Sequence, residues 1–218
     1  MYYTATTADG STHCVGAATA SSIEGPYTPE QTTIACPASQ GGAIDPAGFL
    51  DTDGTRYVVY KVDGNSIGHG GNCNNGVAPI VPTPIMLQQM SADGLTPVGS
   101  PVQILDRSDA DGPLVEAPSL VVHDGTYVLF FSSNCYSGPY YDVSYATASS
   151  VAGPYTKSSA PLLVTGSDNN QLYAPGGASV AAAGDRIVFH ADYQQSSAVR
   201  QMWTAMITIS GAVVSIPP

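Results

Sequence analysis

Basic side chains are scarce in this sequence. Its 218 residues include 6 lysines and arginines against 17 aspartates and glutamates, so the formal net charge is −11. Proteins that bind nucleic acid neutralise phosphates with clustered lysine and arginine, whereas the basic residues here are spread thinly from Arg56 to Arg200. This distribution disfavours nucleic-acid binding, and a neutral or sugar-like ligand suits such a surface better.

Long apolar runs are also missing. No stretch of 18 apolar residues is present, and residues 1–4 lack the basic and apolar regions of a signal peptide, so we expect no membrane span and no visible export signal. Charged residues make up 11% of the chain and hydrophobic residues 43%, with 23 glycines and 17 prolines. This composition is too apolar for a disordered chain and too interrupted for a helical bundle.

The four cysteines lack the spacing of a zinc site. The scarcity of lysine and the abundance of Ser, Thr and Tyr favour a secreted, extracellular protein, in which cysteines pair. We therefore predict two disulfides, with Cys14 and Cys36 as the natural local pair. Three pairings are open for four cysteines.

Internal repetition organises the chain. Residues 18–28 return as residues 146–156 with nine of eleven positions identical, and both copies end in Gly-Pro-Tyr-Thr. A second pattern places a carboxylate, Asp45 or Glu116, eight residues before an Asp-Gly turn that is followed by an apolar strand. A third copy around Gly184 keeps the turn and the strand but has no acid at that position.

Each copy of the second pattern predicts a β-hairpin, because Asp-Gly favours the type I′ turn. Hairpin repeats of roughly 60 to 70 residues indicate an all-β chain. They favour the blades of a propeller, whose innermost strands converge on a central channel. A sandwich or a barrel is the alternative. We expect residues 84–106 to complete the blade that begins at Asp45, and residues 63–83 to form a long loop held by Cys73.

The two carboxylates suggest a chemistry. On innermost strands, Asp45 and Glu116 would approach each other near the axis, and two carboxyl groups in one pocket are what glycoside hydrolysis requires. A purely structural role, in which both satisfy backbone donors at the starts of their strands, is the alternative.

The motifs resemble those of glycoside hydrolase family 43. The resemblance rests on Gly42-Ala43-Ile44-Asp45-Pro46, on residues 60–65, on Val115-Glu116-Ala117-Pro118 and on Gly-Pro-Tyr-Thr, and it covers nearly the whole chain. It implies a five-bladed β-propeller, here a single domain of residues 1–218 with an incomplete first blade, and the inverting chemistry of α-L-arabinofuranosidases, β-xylosidases and arabinanases. By resemblance, Glu116 is the general acid, and Asp45 orients it in its proton-donating form.

One motif of that family is not matched. Its members carry a third carboxylate, the general base, on the first strand of the first blade, and Met1-Tyr2-Tyr3-Thr4 looks like the strand that follows. We therefore expect the base to be absent, because Asp9 belongs to an Asp-Gly turn. The histidine that the family often keeps near a channel metal is also unmatched at Pro175-Gly176-Gly177.

Further side chains are candidates for the pocket. The candidate substrate-binding residues are His69, Tyr140, Tyr141, Tyr173, His190 and Arg200. No cofactor is expected; calcium is the ion to consider for the channel, although no carboxylate cluster of suitable spacing accompanies it.

Two functions are open at this point. The first is inverting hydrolysis of terminal arabinofuranosyl or xylosyl linkages in plant hemicellulose, and the second is an inactive propeller that binds arabinose- or xylose-containing oligosaccharides. An incomplete blade would also expose a sheet edge, which predicts a homodimer through edge pairing.

Overall fold

Short antiparallel sheets make up most of the molecule. The computed structural model describes residues 1–193 and 199–217. Within these residues, sixteen strands form five sheets. The first sheet contains β1 (Tyr2–Thr6), β2 (His13–Thr19) and β3 (Thr28–Ala35). The second contains β4 (Ala43–Leu50), β5 (Arg56–Val62), β6 (Ile85–Met90) and β7 (Pro97–Leu105).

The remaining strands follow the same meander. The third sheet contains β8 (Val115–His123), β9 (Thr126–Ser133), β10 (Ser144–Ala148) and β11 (Thr156–Lys157). The fourth contains β12 (Leu172–Val180), β13 (Arg186–Tyr193) and β14 (Arg200–Met206), and the fifth pairs β15 (Thr208–Ser210) with β16 (Val213–Ser215). Helical turns are short; they span Ala38–Gln40, Gly64–Ile67, Asn72–Asn74, Asp109–Asp111 and Ser167–Asn170.

The sheets converge at their first strands. β8 packs against both β4 and β12, and β4 also contacts β1 and β2. In every sheet the strand order in space equals the order in the chain, so each sheet runs outwards from its first strand by hairpins. This radial arrangement is that of a propeller and not of a sandwich, in which two sheets pack face to face.

The core fills the spaces between consecutive sheets. Alternation along a strand sends neighbouring side chains to opposite faces. Val58 therefore joins the cluster shared with the first sheet, and Val59 joins the cluster shared with the third. In the same way Leu129 faces the second sheet and Phe130 faces the fourth. Burial on both faces explains why β5 and β9 are continuous apolar runs instead of alternating ones.

The sequence repeat is a structural repeat. Tyr27 and Tyr155, each in a Gly-Pro-Tyr-Thr motif, donate their hydroxyl hydrogen bonds to the carbonyl oxygen four residues earlier, at 2.9 and 3.1 Å. Each motif leads into the last strand of its sheet, β3 or β11. The two copies are thus the outer edges of the first and third sheets. As predicted, residues 84–106 supply β6 and β7 of the second sheet.

The three hairpins that the second pattern predicts are all present, but their turns differ. Only Asp124-Gly125 has positive φ at both residues, 47° and 77°, as a type I′ turn requires. At Asp53-Gly54 only the glycine has positive φ, and the Gly54 N–H bonds to the Asp51 carbonyl in a longer turn. The prediction of a type I′ turn at Asp53 is therefore wrong, because Asp51 and Thr55 close a loop one residue longer.

Two disulfides link the cysteines. Cys14 bonds to Cys36, which confirms the predicted pair, and Cys73 bonds to Cys135. The second bond ties the long loop between β5 and β6 to the segment that follows β9. Among the described residues no helix is both long and apolar enough to cross a bilayer.

We expect the Cys73–Cys135 bond to contribute more stability than Cys14–Cys36. The bonds close loops of 62 and 22 residues, for which chain entropy predicts about 4 and about 3 kcal/mol. Urea denaturation of the two double Cys→Ser variants measures the difference. A larger loss on removing Cys14–Cys36 would contradict it.

Candidate active site

The three inner strands share one irregularity. Each contains a residue with left-handed backbone directly before a proline: Asp45 at φ 55°, Ala117 at 52° and Ala174 at 50°. Such angles are uncommon for residues other than glycine. The pairing register shifts at the same place in β4, β8 and β12, so each strand has a bulge there. Bulges bend a strand and redirect its side chains, and all three lie where the inner strands meet.

The bulges show that the two carboxylates are not equivalent. Asp45 occupies the left-handed position itself, whereas Glu116 precedes that position and pairs with Ser132. The residue that corresponds to Glu116 in the second sheet is Ile44, which pairs with Lys61. The equal spacing of eight residues to the turn is therefore a coincidence of turn length. It arises because the Asp53 turn is longer than the Asp124 turn.

A cavity of about 470 Å³ opens at the three bulges. Its walls come from β4, β8, β12, β13, β14 and the segment after β9. It is lined by Asp45, Pro46, Ala47, Glu116, Ala117, Pro118, Tyr136, Tyr141, Gly177, Ala178, Ser179, His190 and Arg200. Both candidate carboxylates thus reach one space, as the sequence predicts.

Asp45 is a partly buried acid with a raised proton affinity. Its Oδ2 accepts a hydrogen bond from the Ala117 N–H at 2.9 Å, which links β4 to β8 directly beside Glu116. Burial raises the pKa of Asp45 to about 6; the negative charge of Glu116 adds to the rise, and Lys61 opposes it. An acid with a pKa near 6 can exchange a proton at moderately acid pH.

Glu116 is held at both oxygens. Lys61 Nζ donates to Oε2 at 3.1 Å, and the Tyr141 hydroxyl donates to Oε1 at 2.7 Å. Lys61 is completely buried, and its ammonium also lies 3.3 Å from Asp63 Oδ1. An ammonium taken out of water is costly unless carboxylates surround it. The carboxylate of Glu116 is therefore fixed in one orientation in the cavity wall.

Another part of the cavity wall is built around Arg200. Its guanidinium donates to the Ala174 carbonyl at 2.8 Å, to His190 Nδ1 at 2.7 Å and to the Tyr136 carbonyl. Arginine can only donate, so His190 Nδ1 is the acceptor and the neutral ring carries its proton on Nε2. Burial, followed by the charge of Arg200, lowers the pKa of His190, which keeps the ring neutral.

Glycines make room for these side chains. A Cβ on Gly176 would lie 1.9 Å from the ring of Tyr141, and a Cβ on Gly177 would lie 2.3 Å from His190 Nε2. Gly177 also has a φ of 61°. His190 therefore fills the space beside Gly177, in the segment Pro175-Gly176-Gly177 where the resemblance predicts a histidine.

The sequence profile of glycosyl hydrolases family 43 matches residues 1–208. The chain belongs to this family. A comparison with curated protein sequences gives no match.

Solved structures of family 43 enzymes superpose on the chain. A thermostable family-43 glycoside hydrolase is 26% identical, with a TM-score of 0.79, and the match covers 100% of this chain and 70% of that one. An endo-1,4-beta-xylanase from Bacteroides thetaiotaomicron is also 26% identical, with a TM-score of 0.73 and the same coverage. These matches confirm the all-β propeller.

An arabinanase shares the fold. The endo-1,5-alpha-L-arabinanase from Thermotoga petrophila is 19% identical, with a TM-score of 0.73, and the match covers 100% of this chain and 55% of that one. At this identity the likeness concerns the fold alone. The structures that share this fold thus include one described as a xylanase and one described as an arabinanase.

Three of the six candidate substrate-binding residues line the family 43 cavity, namely Tyr141, His190 and Arg200. His69, Tyr140 and Tyr173 do not. Tyr140 is 76% exposed, whereas its neighbour Tyr141 in the same loop is buried.

The other two residues lie away from the cavity for different reasons. His69 is in the loop that Cys73 ties down, beside the Gly70–Asn75 bridge. Tyr173 precedes the bulge of β12, whereas the residues of β12 that line the cavity follow it. The assignment of these residues to the pocket is therefore not supported by their positions.

Lys61 and Tyr136 belong to the site but are not among the residues that the sequence predicts for it. Lys61 had a usable signal, because it is a charged residue inside the apolar strand Arg56–Val62 and two residues before Asp63. Tyr136 follows Cys135 directly, so a loop tied by a disulfide was the signal for it. Its ring is 56% exposed, with Arg200 Cζ 5.9 Å from the ring centre.

Two further expectations concern charged groups. Asp9 is an exposed turn residue, as expected, and hydrogen bonds from Thr7 and Ser11 lower its pKa to about 2. The residues that the structure describes contain no group of three or more His, Cys, Asp or Glu side chains placed to hold a metal ion.

Replacing Lys61 with methionine should destabilise the fold by about 3–5 kcal/mol, because Asp63 and Glu116 lose the cation between them. Urea denaturation at pH 7 gives the value. Lys157→Met is the control, since Lys157 pairs with Asp111 but is partly exposed, and its removal should cost less. A loss below about 1 kcal/mol for Lys61→Met would contradict this description of the ion pair.

Asp45→Asn should stabilise the protein at neutral pH by about 3 kcal/mol. The native state holds the Asp45 proton up to about pH 6, whereas the unfolded chain releases it near pH 4. Stability therefore falls as pH rises through this window, and the amide removes that slope. Denaturation from pH 4 to 8, beside the exposed-turn variant Asp53→Asn, tests this; equal slopes in wild type and Asp45→Asn would contradict it.

Proposed function

We propose that the chain is an inverting glycosidase that removes terminal α-L-arabinofuranosyl or β-D-xylosyl units from plant hemicellulose. The observation that carries the proposal is the pair Asp45 and Glu116 in one cavity of a family 43 propeller. A volume of about 470 Å³ suits a small ligand such as a pentosyl unit. The xylan-degrading and arabinan-degrading neighbours support pentose-containing substrates.

The two carboxyl groups have different roles. Glu116, with 15% of its side chain exposed, protonates the glycosidic oxygen, and water attacks the anomeric carbon from the opposite face. Asp45 lies beside Glu116 and can carry a proton there. It also accepts the hydrogen bond of the Ala117 N–H, which fixes the backbone next to Glu116. Proton donation of this kind is worth about 10² to 10⁴-fold in rate.

One observation favours a second candidate function. Inverting hydrolysis needs a base as well as an acid, and among the described residues that line the cavity the carboxylates are Asp45 and Glu116. If no other group serves as the base, the propeller binds pentose-containing oligosaccharides without turning them over.

Location and assembly follow from separate observations. Two disulfides suit an oxidising compartment, so we propose that the protein is secreted. The homodimer through an open sheet edge stays a prediction.

The experiment is release of nitrophenol from aryl α-L-arabinofuranoside and aryl β-D-xyloside. We expect Glu116→Gln to lower kcat by about 10² to 10⁴-fold, whereas Glu24→Gln, at an exposed site, should leave it unchanged.

The outcomes separate the two candidate functions. Release that Glu116→Gln abolishes supports the glycosidase. No release by either protein, together with saturable binding of xylose or arabinose oligosaccharides, would instead establish the binding propeller.

A further inference from the structure

Tyr141 lines the cavity between Glu116 and Arg200, and contacts both. Its side chain is almost completely buried, its ring stacks on His190 with centroids 6.1 Å apart, and Arg200 Cζ lies 5.3 Å from the ring centre. Gly176 packs against the ring so closely that no larger residue fits there. A ring covered in this way is fixed in place and offers little surface on which a sugar could stack.

The hydroxyl group of Tyr141 is oriented towards Glu116. The Tyr141 phenol donates to Glu116 Oε1, 2.7 Å away. Ser132 Oγ, which accepts the Gly177 N–H at 2.9 Å, also acts on the Tyr141 hydroxyl in the direction that lowers its pKa. The carboxylate of Glu116 is therefore the acceptor of the phenol proton.

We propose that Tyr141 is a positioning residue for Glu116: it fixes the carboxyl group and stabilises the negative charge that Glu116 acquires on giving its proton to the leaving group. The inference rests on the proposed function. In that step the glycosidic oxygen takes the proton as its bond to the anomeric carbon breaks. Water on the opposite face supplies the new hydroxyl group and gives its proton to the base or to solvent, and Glu116 takes a proton back from solvent.

The charges around Glu116 make this role specific. The titratable and charged groups that face it are Asp45, Lys61 with Asp63 behind it, Tyr141 and His190. Asp45 repels the negative charge that develops on Glu116, His190 is held neutral, and Lys61 is bound to Oε2. Tyr141 is the donor to the other oxygen, and burial with the charge of Glu116 raises its pKa well above the ordinary value, so the phenol keeps its proton.

The first test compares leaving groups. Hydrolysis of a 2,4-dinitrophenyl pentoside needs little acid assistance, whereas a pentose oligosaccharide needs much. Tyr141→Phe should lower kcat on the oligosaccharide by about 10- to 100-fold and on the dinitrophenyl glycoside by less than about threefold. A merely structural role would lower both equally, and that result would overturn the proposal.

Tyr127→Phe is the matched control. The Tyr127 hydroxyl also donates to a buried carboxylate, Asp51, at 2.9 and 3.1 Å, but neither residue lines the cavity. The control therefore loses the same kind of bond without affecting the leaving-group dependence. Ser132→Ala keeps the phenol but removes the hydroxyl that acts on it, so it should show the Tyr141→Phe pattern more weakly.

The second test does not need turnover. The chain has three glutamates, Glu24, Glu30 and Glu116, so ¹³Cδ-labelled glutamate gives three resonances, and the Glu116→Gln variant identifies the third. The midpoint of the Glu116 chemical-shift titration should move to higher pH in Tyr141→Phe, by about one pH unit or more. An unchanged midpoint would overturn the proposal even if the protein proved to bind sugars without hydrolysing them.

Discussion

The buried ammonium of Lys61 is the interaction on which the site depends. It lies between Asp63, just after β5, and Glu116 on β8, so one cation connects two sheets of the propeller. Burying a charge in this way is unfavourable unless every partner is in place. Only 6 residues of the chain are basic, and two of them act on the cavity: Lys61 holds Glu116, and Arg200 lines the wall beside His190.

The propeller fold brings Lys61 and the carboxylates together. A propeller brings the first strands of several sheets to one axis, and the bulges at Asp45, Ala117 and Ala174 turn those strands so that side chains from different sheets meet. The Ala117 N–H then satisfies Asp45 across the gap between sheets. Backbone irregularity, inter-sheet hydrogen bonding and the buried ion pair act on the same few residues, which is why strain and charge coincide there.

The sequence revealed the parts of this design that are local. The Gly-Pro-Tyr-Thr repeat, the hairpins and the pair Asp45 and Glu116 follow from spacing along the chain. The partners of Glu116 do not, because Lys61 and Tyr141 lie 55 and 25 residues away from it and meet it only after sheets have packed. Tyr140 and Tyr141 illustrate the same limit of prediction from sequence. Both are tyrosines of one loop, but the folded backbone buries Tyr141 and exposes Tyr140.

A sugar that is bound in the cavity lies beside Glu116. The most direct measurement follows the ¹³Cδ resonances of the three glutamates while a xylose or arabinose oligosaccharide is added. We expect the Glu116 resonance to shift and saturate while those of Glu24 and Glu30 stay constant. Saturable binding that leaves the Glu116 resonance unmoved would instead mean that the sugar binds outside this cavity.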